Sequence, residues 1–159
     1  MEAYQLGGRI GTSFGGENTL TIWYDYLSGD EDPSDTKVKV FDTLFATNHK
    51  YYGYADLFLN IPAHTAGRGL QDMALKLAFK PSKSVSLGVD LHAFLLARKA
   101  GISSRRLGEE VDLTLQYKYS PEVSFVGGLS YVLARDGFAQ IGRLSQDIGF
   151  GYLMTNVAF

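Results

Sequence analysis

Arg9, Asp25, Lys76, Asp90, His92, Asp112 and Lys118 have one thing in common: each interrupts, or directly follows, a stretch whose apolar residues recur at every second position, and Asp72 and Glu110 follow the same rule. Neighbouring side chains of an extended chain point to opposite faces. The ionisable groups therefore gather on one face and the apolar groups on the other. A dry core does not tolerate unpaired charges in mid-strand, whereas a face looking into water does. Such a face can replace the hydration and counterions of a charged polymer moving past it. Arg9, Lys76 and Arg68 are the candidate cations for an acidic polymer, with Lys118 as a fourth, since the planar fork of Arg matches both oxygens of a carboxylate. The bland reading of the same charges is that they pair across strands and only hold the wall together.

The elements that must position these groups are short alternating segments. Tyr4 to Phe14 places Leu6, Ile10 and Phe14 opposite Gln5, Arg9 and Ser13. Thr19 to Leu27 sets Leu20, Ile22, Tyr24 and Tyr26 against Thr21, Trp23 and Asp25. The same alternation recurs in 73–79, 85–91, 111–119, 123–133 and 153–159, giving seven expected strands. A weaker eighth is conceivable over Tyr51–Leu59. Gly15-Gly16-Glu17-Asn18, Pro81–Ser84 and Ser120–Glu122 read as tight turns. The alternate connections, 28–67, 96–108 and 134–147, are long. This short–long rhythm is that of an outer-membrane barrel, with tight turns in the periplasm and long loops outside. Seven strands is an odd number, whereas single-chain bacterial barrels have an even one. We therefore expect further strands upstream.

Composition narrows the function classes. The 159 residues suffice for one domain, and the net charge of −2 does not suit a nucleic-acid surface. The absence of cysteine excludes disulfides, thiolate metal sites and a cysteine nucleophile. Ten tyrosines, ten phenylalanines and eighteen glycines suit a β-rich chain girdled by aromatics. No apolar run approaches the length of a transmembrane helix. His49, His64 and His92 have no metal-binding spacing, and no nucleophile elbow, phosphate loop or dinucleotide fingerprint occurs. Neither a catalytic residue nor a cofactor or metal is expected.

The 28–67 segment is too long for an idle connection. Its start, Gly29 to Asp35, is acidic; a calcium site there is outweighed by a solvated tip. Its later part is aromatic and mixed, and we expect it to fold inward and narrow the path through His49, Lys50 and Tyr52. The chain's final Phe159 closes an alternating segment in the manner of an outer-membrane assembly signal.

Three stretches carry a family resemblance. They are Phe14-Gly-Gly-Glu-Asn-Thr-Leu-Thr-Ile-Trp-Tyr-Asp-Tyr-Leu-Ser-Gly-Asp30, Phe41-Asp-Thr-Leu-Phe-Ala-Thr-Asn-His-Lys-Tyr-Tyr-Gly-Tyr-Ala-Asp56, and Gly67-Arg-Gly-Leu-Gln-Asp72 followed by Leu77-Ala-Phe-Lys-Pro81. In order, they resemble the C-terminal part of the alginate export family of outer-membrane β-barrels. The resemblance implies an all-β antiparallel transmembrane barrel, of which residues 1–159 are a single partial or small domain, with 28–67 as an extracellular loop. It implies an outer-membrane channel in contact with the lipid bilayer and lipopolysaccharide. That channel would pass an acidic polysaccharide outward above periplasmic export partners, without an enzymatic step. Two other readings stand beside it: a general diffusion or uptake porin for small anions or sugars, and a soluble carbohydrate-binding β-sandwich.

Overall fold

The computed structural model describes residues 2–32 and 34–159. Seven strands form one antiparallel sheet in strict chain order: β1 (Gln5–Phe14), β2 (Asn18–Leu27), β3 (Leu70–Ser82), β4 (Val85–Leu96), β5 (Arg106–Lys118), β6 (Val123–Ala134) and β7 (Ile148–Val157). Two short helices, α1 (Ile61–His64) and α2 (Asp136–Gln140), lie in the connections. No helix among the described residues is long and apolar enough to cross a membrane. Among the described residues each strand pairs only with its sequence neighbours, and β1 and β7 are the two edges.

The tight turns form where the backbone demands little. Gly15 and Gly16 adopt φ of +51° and +94°, a region glycine enters without steric cost, and the Asn18 side chain donates to the Gly15 carbonyl at 2.9 Å. At the β3–β4 turn the register slips between Phe79 and Ser82, around Pro81, which has no N–H to give the ladder.

Register assigns every side chain to a face. Gly7 stands opposite Asp25, Asp25 opposite Asp72, Ala74 opposite His92, His92 opposite Glu110, and Asp112 opposite Ser130. The ionisable set thus occupies one continuous face across the sheet, and the alternating apolar set occupies the other. Their burial is inverted relative to a water-soluble domain. Ile10, Ile22, Leu113 and Leu129 are 73%, 58%, 48% and 64% exposed, whereas Asp25, Asp72, Glu110 and Asp112 are at most 1% exposed. The segment between β2 and β3 covers the ionisable face, hereafter the loop side.

An apolar core nevertheless exists, and it sits on the loop side at one end of the sheet. Leu27, Leu70, Phe94, Leu96, Leu107 and Val132 come from strand ends next to the long connections. Tyr52, Leu57, Phe58 and Ile61 from the β2–β3 connection and Phe138 of α2 close over them. The Phe58 ring lies between Phe94 and Phe138, at centroid distances of 4.7 and 6.0 Å.

Three expectations are corrected. Tyr51–Leu59 is not a strand: it runs through turns, with Gly53 at φ +85° and Asp56 at φ +58°, conformations that break extended pairing. The strands outrun the alternating runs, so His92 lies inside β4 instead of beyond its end. A soluble sandwich needs a second sheet against the apolar face, and the described residues form a single sheet that leaves this face bare.

Candidate functional site

The loop side of the sheet holds an ionic network built from five strands. On β1 and β2, Arg9 Nη2 lies 3.3 Å from Asp25 Oδ2, and the Trp23 indole N–H donates to the same oxygen at 2.8 Å. The Arg9 guanidinium also stacks on the Trp23 ring, 3.5 Å from its centroid. The opposite Asp25 oxygen, Oδ1, is buried and has no hydrogen-bond partner among the described residues. A side chain at Gly7 would collide with it, so the glycine opposite Asp25 makes the room.

On β3 and β4 the groups form a relay. Lys76 Nζ donates to Asp90 Oδ2 at 2.7 Å and reaches His92 Nε2 at 3.2 Å. His92 Nδ1 is 3.0 Å from both oxygens of Asp72. With the ammonium donating to Nε2, the Nδ1 nitrogen carries the proton that Asp72 accepts. Burial at this depth requires such pairing, because an unpartnered charge costs several kcal/mol by order of magnitude.

On β5, Asp112 accepts a short hydrogen bond from the Ser130 hydroxyl, and Glu110 lies on the same face of the strand. The donors come from the β2–β3 connection. The Ala55 N–H donates to Glu110 Oε1 at 2.8 Å, and the Tyr54 N–H points at Asp112 Oδ2 from 3.4 Å. Among the described residues, Glu110 Oε2 has no hydrogen-bond partner. Gly53 permits this approach: a Cβ there would lie 2.5 Å from Glu110 Oε2.

Within the same connection, His49 Nδ1 meets Asp56 Oδ1 at 2.6 Å, and its ring packs edge-on to Tyr54 at 5.0 Å. Tyr52 is buried, and burial with the nearby carboxylates of Asp25 and Asp72 raises its phenol pKa well above the usual value. The Tyr54 phenol is pushed up to about 12 by burial first, then by the charge of Asp90. Both phenols therefore stay protonated donors at neutral pH. Lys50 is exposed, its ammonium 6.0 Å from the Tyr51 ring.

The sequence candidates therefore fall into three groups. Arg9, Asp25, Lys76, Asp90, His92 and Asp112 share the network, and His49 and Tyr52 lie in the segment over it. Lys118 is on the loop side but far along β5 at the tight-turn end, exposed. Arg68 stands apart: its guanidinium donates to the carbonyls of Lys99, Ala66 and Ala100 at 3.1, 2.9 and 3.0 Å, tying two long connections together. The acidic tip pairs with Lys39, through Asp35 at 2.7 Å and Asp30 at 3.8 Å, and with Arg98 through Glu31 at 3.7 Å. Among the described residues no group of three or more metal-type side chains converges.

Two features escaped the sequence reading. Arg143, in the β6–β7 connection, donates to the carbonyls of Leu57 at 2.7 Å and His64 at 3.0 Å, pinning the covering segment from the far side. Tyr152 on β7 lies over Gly128, where any side chain would strike its ring, and contacts the Tyr54 ring at 6.5 Å. Tyr152 lies just before the last alternating segment, and nothing local marked its partner 98 positions away in a connection.

The model of the family described as alginate export matches residues 2–136. No curated protein and no solved structure matches the chain.

Proposed function

The chain belongs to the alginate export family, and from that premise we propose that its sheet is part of the wall of an outer-membrane channel for an acidic polysaccharide. The family is one of polysaccharide transport, not of catalysis. The observation that carries the reading is the inversion of burial: apolar side chains bare on one face, ionisable ones sheltered on the other. Lipid outside and water inside favour that arrangement, and an open sheet edge is costly in hydrocarbon. In the proposal, β1 and β7 therefore pair within a closed barrel. The apolar face meets the bilayer and lipopolysaccharide, the 28–67 connection lies on the extracellular side, and export partners dock in the periplasm.

The covering segment is the constriction in this reading. It reaches the wall from above through Tyr52, Gly53, Tyr54 and Ala55, and its apolar anchor of Leu57, Phe58 and Ile61 holds it there. Conduction is passive: the path must bind its cargo well enough to admit it and weakly enough to release it. The acidic nature of the polymer rests on the family. The charges described above do not add to it, since Arg9 and Lys76 are both engaged by carboxylates. A sugar-uptake channel is the second reading, favoured by a cleft of about 480 Å³ beneath His49 and Tyr54 that Thr21, Thr114 and Gln116 help to line.

Planar-bilayer recording of the full-length protein tests the proposal. Discrete conductance that rises when residues 42–59 are shortened, and that added polyuronate blocks more strongly than neutral glucan, supports export of an acidic chain. Stronger block by glucan favours uptake. A protein that needs no detergent for extraction and gives no conductance overturns both.

A further inference from the structure

The bare apolar face carries formal charge at one place. Among the described residues paired in the ladders, only Arg106 and Glu109 of β5 put a charged side chain on it, and Arg135 joins them one residue beyond β6. Glu109 holds both arginines. Its Oε1 accepts from Arg106 Nε at 2.7 Å and from Nη2 at 2.6 Å, and its Oε2 accepts from Arg135 Nε at 2.8 Å. One carboxylate against two guanidiniums leaves a net positive charge. It also leaves donors: among the described residues, neither terminal nitrogen of Arg135 nor Nη1 of Arg106 meets an acceptor. Both arginines are exposed. The other carboxylate at this rim, Asp147, is turned to β6, where it accepts the Ala134 N–H at 2.9 Å and lies 3.4 Å from the Tyr131 hydroxyl.

The trio sits at the long-connection end of the sheet, at the border of the apolar band. From Glu109 to Tyr117 the strand covers about 26 Å at ~3.3 Å per residue, or about 20 Å along the bilayer normal at a tilt of about 40°, against a band about 25 Å tall. The guanidiniums therefore stand at headgroup level. Directly beside them lies an apolar groove of about 640 Å³, bounded by Glu109 and lined by Tyr24, Met73, Leu91, Ala93 and Val111. Met73 stands opposite Ala93, and Ala93 opposite Glu109. The short Ala93 side chain between longer neighbours leaves the depression.

A lipid with a phosphate at its head matches both parts. Guanidinium forks bind phosphate through paired N–H groups, and here the carboxylate fixes two of them in advance. Basic sites at the membrane border select anionic headgroups, and the groove gives an acyl chain a seat that a smooth wall lacks. The proposed orientation puts this end in the outer leaflet, where the phosphorylated lipid is lipopolysaccharide.

We propose that Arg106 and Arg135, bridged by Glu109, clamp the phosphate of one lipopolysaccharide molecule whose acyl chain lies in the groove over Ala93. The proposal rests on the channel reading for which leaflet this end faces.

Native mass spectrometry of the full-length protein in detergent, titrated with bisphosphorylated lipid A and with the same lipid stripped of its phosphates, tests it. The phosphorylated lipid is expected to bind at least tenfold more tightly. Arg135→Ala and Arg106→Ala should each weaken it at least fivefold and Arg135→Lys less, with little effect on the stripped lipid. Ala93→Phe fills the groove and should weaken both lipids about equally. The shifted gel mobility of the folded form shows that each variant has folded, and Arg135, outside the strands, supplies a test if Arg106→Ala does not fold. Equal affinity for the two lipids, displacement by excess inorganic phosphate, or undiminished binding by both alanine variants overturns the clamp. Conductance of the same preparation separates the two readings. A conducting protein whose lipid binding ignores the arginines loses the clamp and keeps the channel, and one that binds lipid A through them without conducting does the reverse.

Discussion

Replacing Gly53 by alanine attacks the contact between the covering segment and the wall at its tightest point. The backbone there has φ +85°, and the new Cβ would sit 2.5 Å from Glu110 Oε2 and 2.6 Å from Glu110 Cδ. Holding a non-glycine residue in that region costs about 1–3 kcal/mol. Glu110 is fully buried, so it can yield only by giving up the Ala55 N–H, and leaving that buried pair unmade costs about 1–3 kcal/mol. The docked arrangement should lose about 2–6 kcal/mol, or roughly one and a half to four orders of magnitude in population. Gly67→Ala is the control. Its φ is +74°, but the nearest atom to a new Cβ is Val40 Cγ2 at 3.8 Å, so only the backbone cost of about 1–3 kcal/mol applies. The assay is tryptic cleavage after Lys50 together with hydrogen exchange at the Ala55 amide. Gly53→Ala should speed both strongly and Gly67→Ala weakly. If Ala55 stays protected in Gly53→Ala, Glu110 is not the anchor and the reasoning fails.

Other outcomes follow from the same geometry. Leu113→Lys on the bare face should cost about 2–4 kcal/mol on refolding into lipid vesicles, read as loss of the folded form's shifted gel mobility, while Thr114→Lys one residue away costs far less; equal costs would refute a lipid-facing Leu113. Arg143→Ala strands the carbonyls of Leu57 and His64 and should loosen the segment by about 1–3 kcal/mol, visible as faster cleavage at Lys50 with the strands still protected. His64 has its pKa lowered from 6.5 by burial and then by Arg143, and its Nδ1 accepts the Asn60 N–H at 3.3 Å. The neutral ring is therefore the folded form. Its stabilising contribution is intact above pH 6.5 and declines as pH falls through the lowered value, so exchange at Asn60–Thr65 should quicken on acidification and His64→Gln should flatten that response.

How much of this was legible depended on the range of the interaction. Alternation in β1 to β7 is local, and it placed Arg9, Asp25, Lys76, Asp90, His92 and Asp112 on one face because period two survives wherever strands pair. The family was legible from three ordered stretches and is shown by the match over residues 2–136. The partners within the face were not legible. Asp25 opposite Asp72 and Asp90 opposite Asp112 are like-charge pairs that no alternation rule would choose. They are tolerated because Arg9, His92, Lys76, Ser130 and the backbone of Tyr54 each bring a donor. The partners of Arg68 were not legible either, since its three acceptor carbonyls lie in two separate connections. Tyr51–Leu59 has the aromatic content of a strand, but Gly53 and Asp56 turn the chain, and its anchors lie far away in sequence.

The chain-order pairing of the sheet has a kinetic corollary. Joining β2 to β3 means closing residues 28–69, at an entropic cost about 2–3 kcal/mol above that of a two-residue hairpin. The connectors within β3–β7 are much shorter. That block can zip hairpin by hairpin while β1 and β2 form their own ribbon, and the two pieces then meet along a single seam. The nucleus of assembly thus belongs in the β3–β7 block, and the β2–β3 seam is the last joint to close and the first to open.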